Sequence, residues 1–163
     1  LEEKGFDQIT VRDICAKAGV HYSTFFRHHP TKESLLDAIA KEEISALNKL
    51  SVDIRNASDF PAAFLALCQY VEENRELWST LLNGGAGPAM REEWIRQSKR
   101  EAENDYPAHH WLPMELGTIC AATIIAETLA WWLSQPHGKH TAEEMSATLM
   151  RLLSWSLEAE YPA

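Results

Sequence analysis

The stretch that decides the fold runs from residue 10 to residue 36: "TVRDICAKAGVHYSTFFRHHPTKESLL". Val11, Ile14, Cys15 and Ala18 recur at i, i+3, i+4 and i+7, which gives a short helix one apolar face. Thr10 precedes that face as an N-cap, and Asp13 three residues on makes a box-like pair with it. Gly19 falls where a left-handed residue would end the helix. Val20 is then placed to pack back on Ile14 and Cys15. A second helix starts almost at once, and two helices joined by a tight glycine turn form a helix-turn-helix unit.

Projected at 100° per residue, positions 22–29 divide by chemistry. Phe25 and His29 share one direction and face the core. Ser23 and Arg27 point the opposite way, with Tyr22, Phe26, Thr24 and His28 on the flanks. The outward set is small, hydroxylated or cationic. Small residues let a backbone approach a groove, arginine takes guanine bidentately, and hydroxyls bond bases or phosphates. Thr31 caps the long helix that follows, which sets Lys32 in its first turn. A cation there opposes the helix dipole. A phosphate at the same place would satisfy both the lysine and the free backbone N–H groups.

Working outward, Pro and Gly fall between periodic apolar segments and almost nothing reads as strand. Helices are expected at about 1–5, 11–18, 22–29, 32–49, 60–73, 75–83, 88–104, 114–134 and 142–159. "SVDIRNASDFP" (51–61) reads as a junction and "NGGAGP" (83–88) as a breaker. "DYPAHHWLP" (105–113) and "SQPHGKH" (134–140) read as loops. No repeat or low-complexity tract is present. The expected class is all-α, with a small domain over 1–50 and a larger helical one over 51–163.

The chain has 163 residues, 45% of them apolar, enough for a packed core. Its net charge of −9 at first argues against nucleic acid. The charge is unevenly spread, however. Residues 1–50 hold seven Lys/Arg against eight Asp/Glu, and 51–163 hold eight against sixteen. The acid lies away from the opening stretch. Cys15, Cys68 and Cys120 are too far apart for a metal or disulfide framework and read as core packing. No signal peptide is legible, and a reducing, cytoplasmic setting fits.

The string "GFDQITVRDICAKAGVHYSTFFRHHPTKESLL" (5–36) resembles the tetracycline-repressor-like (TetR) transcription regulators. Its markers are Gly5-Phe6, Thr10-Val11-Arg12, Ala18-Gly19-Val20, Thr24-Phe25-Phe26, and Lys32-Glu33 before Leu35-Leu36. The resemblance implies DNA contacts at Val11, Arg12, Tyr22, Ser23, Thr24, Phe26, Arg27, His28 and Lys32, and chain before Leu1. Read on their own residues, Thr24 serves DNA or its own helix, and His28 meets DNA or solvent. Three positions depart from the usual pattern. Phe26 stands where tyrosine is common and loses a phenol-to-phosphate bond. His21 stands where a serine cap is common, and His29 where phenylalanine is common.

In the second domain, "PMELGTICAATIIAETLAWWLS" (113–134) is long enough for a membrane span, but carries Glu115 and Glu127 and lacks basic anchors. Thr118, Ala122, Ala126 and Ala130 form a small-residue ridge suited to close helix packing. Met145, Leu149, Leu152 and Ser156 follow one face of the last helix, and Thr141 with Glu144 forms a capping box. The resemblance implies a homodimer through the last two helices, bound to a double-stranded palindromic operator. It also implies an apolar pocket for a small-molecule effector, with Trp78, Met90, Trp94, Trp111, Met114, Glu127 and Trp131 as candidate lining.

Aromatic side chains at helical spacing are more often plain core than a ligand cage. His109, His110 and Glu115 have no metal spacing, so no metal or cofactor is expected. No nucleophile, base and orienting group converge, so no enzyme is expected. The expected function is a repressor released from its operator by a small, largely apolar ligand. The alternative is a DNA binder that answers to a protein partner or to nothing.

Overall fold

Each helix near the N-terminus starts or stops on a local device that the side chains supply. The computed structural model describes residues 6–56, 60–85, 87–105 and 112–157, with side chains described over 6–47, 61–85, 87–103 and 112–154. A 3₁₀ turn at Phe6–Gln8 leads into α1 (Val11–Ala18). Thr10 and Asp13 cap α1 reciprocally: the Asp13 N–H donates to Thr10 Oγ1 at 3.2 Å and the Thr10 N–H to Asp13 Oδ2 at 2.9 Å. Gly19 ends α1 at φ 66°, the left-handed region, with open space where a side chain would sit. Its φ, and not crowding, is what requires glycine. Val20 turns back to α1 through its N–H, which donates to the Cys15 carbonyl at 3.0 Å, while its side chain stays 39% exposed.

α2 (Tyr22–His28) follows directly, and its N-cap His21 makes no side-chain cap bond. That matches the expected weaker start. α3 (Lys32–Asn56) is capped by Thr31, whose Oγ1 accepts the Ser34 N–H at 3.1 Å. Ser34 Oγ in turn accepts the Thr31 N–H at 3.3 Å. α3 runs seven residues past the expected end at 49. The reason is that no Gly or Pro lies between Thr31 and Phe60, so nothing in the covalent chain stops the helix. The junction expected from residue 51 therefore begins inside α3, as does the domain boundary placed after residue 50.

The rest is α4 (Phe60–Glu73), α5 (Arg75–Asn83), α6 (Gly87–Asp105), α7 (Met114–Ser134) and α8 (Ala142–Leu157). Among the described residues every regular element is helical. The helix expected at 1–5 and most of the 105–113 loop, with His109, His110 and Trp111, lie outside the described residues. The breaker at 83–88 holds: a Cβ on Gly84 would meet the Thr80 carbonyl oxygen at 2.3 Å.

One buried cluster starts at Leu36 and extends through α4–α8. Leu36, Ala40, Ile44 and Leu47 form a single stripe on α3 that faces α4 and α6. α4 packs on α8 and α6 on α7. Trp78, Trp94 and Trp132 are its largest fully buried side chains. α7 is long and apolar enough to cross a bilayer by length and composition, but it is the central core helix here. Its Ala122, Ala126 and Ala130 face inward, as do Met145 and Leu149 of α8. The small-residue ridge and most of the α8 face read as pairing surfaces are thus used within the subunit; Ser156 lies outside the described side chains. What α7 and α8 leave outside is a different set: Leu116 at 49%, Trp131 at 49% and Leu152 at 44% exposure.

Polar ties fix the ends of these helices. Arg75 donates to the Trp132 and Gln135 carbonyls at 3.0 and 2.9 Å and stacks on the Trp132 ring, which holds the C-terminus of α7. Trp132 Nε1 donates to the His140 carbonyl at 3.0 Å across the α7–α8 loop. Tyr70 Oη donates to Glu43 at 2.6 Å and ties α4 to α3. Burial first, and then that carboxylate, push the Tyr70 hydroxyl pKa up to about 12.

Candidate nucleic-acid interface

The N-terminal head has little core of its own: Cys15 and Phe25 are its fully buried side chains. Phe25 roots α2, with His29 half-buried at 6.0 Å from its ring. The opposite side of α2 carries Ser23 and Arg27, both exposed. Tyr22 and Phe26 are exposed at 49% and 50%, and His28 is exposed on the far flank. Thr24 is half-buried. On α1, Arg12 is exposed and Val11 half-buried. Eight of the nine residues implied as DNA contacts thus lie on α1 and α2, six of them exposed and Val11 and Thr24 half-buried.

Lys32, the ninth, is placed differently from expectation. Its ammonium donates to the carbonyl oxygens of Phe6, Asp7 and Ile9 at 3.0, 3.3 and 3.0 Å. It also lies 4.7 Å from the centre of the Phe6 ring. An ammonium has three donors, so all of them are engaged inside the chain. The conflict with the α3 dipole is met by the C-terminal carbonyls of the 3₁₀ turn, where a cation is favourable. The ammonium read as awaiting a phosphate is thus already partnered within the chain. Sequence reasoning missed this because those carbonyls belong to a turn with no periodic signal.

The described residues expected to line a ligand pocket differ in burial and in partners. Trp78 and Trp94 are buried against each other, ring centres 5.9 Å apart, and the Trp78 indole N–H finds no acceptor among the described residues. Met114 is half-buried at the start of α7. Glu127 is exposed and ion-paired with Arg91. Trp131 is exposed beside His140. Trp111 lies outside the described residues.

Met90 lines a cleft of about 160 Å³ between α3 and α6. Leu36, Ala40 and Leu81 share its apolar floor, and Asp37, Lys41 and Glu93 its rim. Glu93 is held below the usual carboxylate range, chiefly by hydrogen bonds from Arg96. The helical spacing of Leu36 and Ala40 carries the signal for this cleft, but it reads in sequence as core alone.

A glycine-hinged helix pair, presented at the end of a long helix that is rooted in an all-helical body, defines a helix-turn-helix DNA-binding regulator. Residues 1–39 match the family model described as "Bacterial regulatory proteins, tetR family". The fold matches the crystal structure of a TetR transcriptional regulator from Streptococcus agalactiae 2603V. That match has a TM-score of 0.61 and 25% identity, and covers 94% of this chain and 86% of that one. No curated protein sequence matches the chain. Residues 1–39 thus carry a TetR-type DNA-binding domain, and with the shared fold this marks the chain as a DNA-binding transcriptional regulator similar to the TetR regulators.

Proposed function

We propose that this regulator is a repressor that works as a homodimer in the cytoplasm and leaves a palindromic operator when a small, largely apolar molecule binds. In this reading Val11, Arg12, Tyr22, Ser23, Thr24, Phe26, Arg27 and His28 meet the DNA. The two copies pair through α7 and α8, where Leu116, Trp131 and Leu152 supply exposed apolar area that a two-fold contact would bury. Two heads then address half-sites about 34–36 Å apart.

The observation that carries the ligand half is the cleft between α3 and α6. Its 160 Å³ is about the room a benzene-sized molecule needs. One wall is the same helix that bears the head. α3 has 25 residues, about 37 Å of lever at 1.5 Å per residue. A molecule wedged beside Ala40 tilts that lever, and the heads lose the half-site spacing. A coupling of about 1–3 kcal/mol changes operator affinity roughly 5–150-fold.

Fluorescence anisotropy of a labelled operator, titrated with a panel of single-ring aromatic and aliphatic compounds, tests the reading. Ala40→Leu, which fills the cleft from within, is expected to weaken operator binding without any compound. If no compound acts and Ala40→Leu binds like the parent, the small-molecule half is wrong.

A further inference from the structure

We propose that Tyr22 and Phe26 read thymine, by burying the C5 methyl groups that project into the major groove; the inference rests on the DNA-binding role of α2.

The described residues carry six exposed large hydrophobic side chains, three on α7 and α8 and three in the head. Leu116, Trp131 and Leu152 lie on α7 and α8. Val20, Tyr22 and Phe26 lie on the glycine turn and α2, in an otherwise polar head. Scattered single hydrophobics need no explanation, but a contiguous set does. The two head rings also form an ordered pair, with centres 6.2 Å apart and planes within 24°. Phe26 is held from behind by the buried Phe25 ring, edge-on at 5.3 Å. Its outer side stays open.

The patch sits where the recognition helix enters the groove, since the N-terminal residues of such a helix contact base edges. Among base edges in the major groove, only thymine offers an apolar group, its methyl. Phe26 has no hydrogen-bonding atom and so cannot bond a phosphate or a base edge. Dispersion and methyl burial are what it can supply. Bases rise about 3.4 Å per step along a strand. A ring spacing of 6.2 Å therefore addresses two thymines one or two steps apart. Arg27, next along the open face, would take a guanine beside them.

The test starts with duplexes enriched from a random-sequence library by the full chain. Each thymine in the enriched site is then replaced singly by uracil, which removes the methyl and leaves every hydrogen-bonding group. One or two thymines per half-site are expected to lose about 4-fold in affinity, the worth of one buried methyl. Phe26→Ala and Tyr22→Ala, at exposed positions and checked for folding by circular dichroism, are expected to bind thymine and uracil duplexes alike at those steps. Enriched duplexes insensitive to uracil throughout would overturn the inference and leave DNA binding intact. A uracil effect that persists at the same step in both variants would also overturn it. Failure to enrich any duplex would remove the DNA-binding role itself.

Discussion

The head and the body of this molecule are held together by different physics. The body buries a continuous cluster that includes Trp78, Trp94 and Trp132, so its stability rests on apolar area removed from water. Among the head's described residues only Cys15 and Phe25 are buried. It is held by polar devices instead: the Thr10–Asp13 box, the left-handed Gly19, the Thr31–Ser34 cap and the long-range tie of the Lys32 ammonium to three carbonyls. A surface that must lie open to DNA cannot also be core, so a small reading head has little apolar area to bury. It borrows order from α3, whose stripe from Leu36 onward is part of the body.

That contrast can be broken in three places. Trp132→Ala removes a ring that is 1% exposed, along with its bond to the His140 carbonyl and the stack under Arg75. A loss of about 3–5 kcal/mol is expected in urea unfolding. A loss below about 1 kcal/mol would show that the body does not rest on its core.

In the head, Lys32→Met is expected to cost about 1.5–3 kcal/mol, the range for hydrogen bonds to a charged group. The slope of log affinity against log salt should stay that of the parent. If the slope instead falls by about 0.9, the value of one phosphate contact, the ammonium leaves its carbonyls for DNA and the head is less self-contained than described.

The smallest effect sharpens the comparison from the other side. His21 begins α2 without a side-chain cap bond. His21→Ser is expected to raise head stability by about 0.5–1 kcal/mol, read by amide hydrogen exchange in α2. No gain would mean that α2 draws its order from Phe25 packing alone.

The same division explains what could be read in advance. The capping box, the glycine turn, the inward Phe25 and the outward Ser23 and Arg27 all follow from residues at most four apart, and the helix pair was legible from them. The body was legible as helices but not as an arrangement. Both Ala122–Ala126–Ala130 and Leu116–Trp131 mark faces of α7, and nothing local says which one meets α5, α6 and α8. The sequence likewise could not show that Glu127 and Trp131 turn outward while Met90 lines the α3–α6 cleft.

By itself the sequence determined the all-helical class, the helix-turn-helix and the polarity of its reading helix, because periodicity and capping act within one helical turn. Tertiary structure alone decided which α7 face is buried and where the α3–α6 cleft opens. It also decided that Lys32 is tied to a turn 23 to 26 residues away. Those outcomes depend on which distant surfaces exclude water together, and no window of sequence contains both partners.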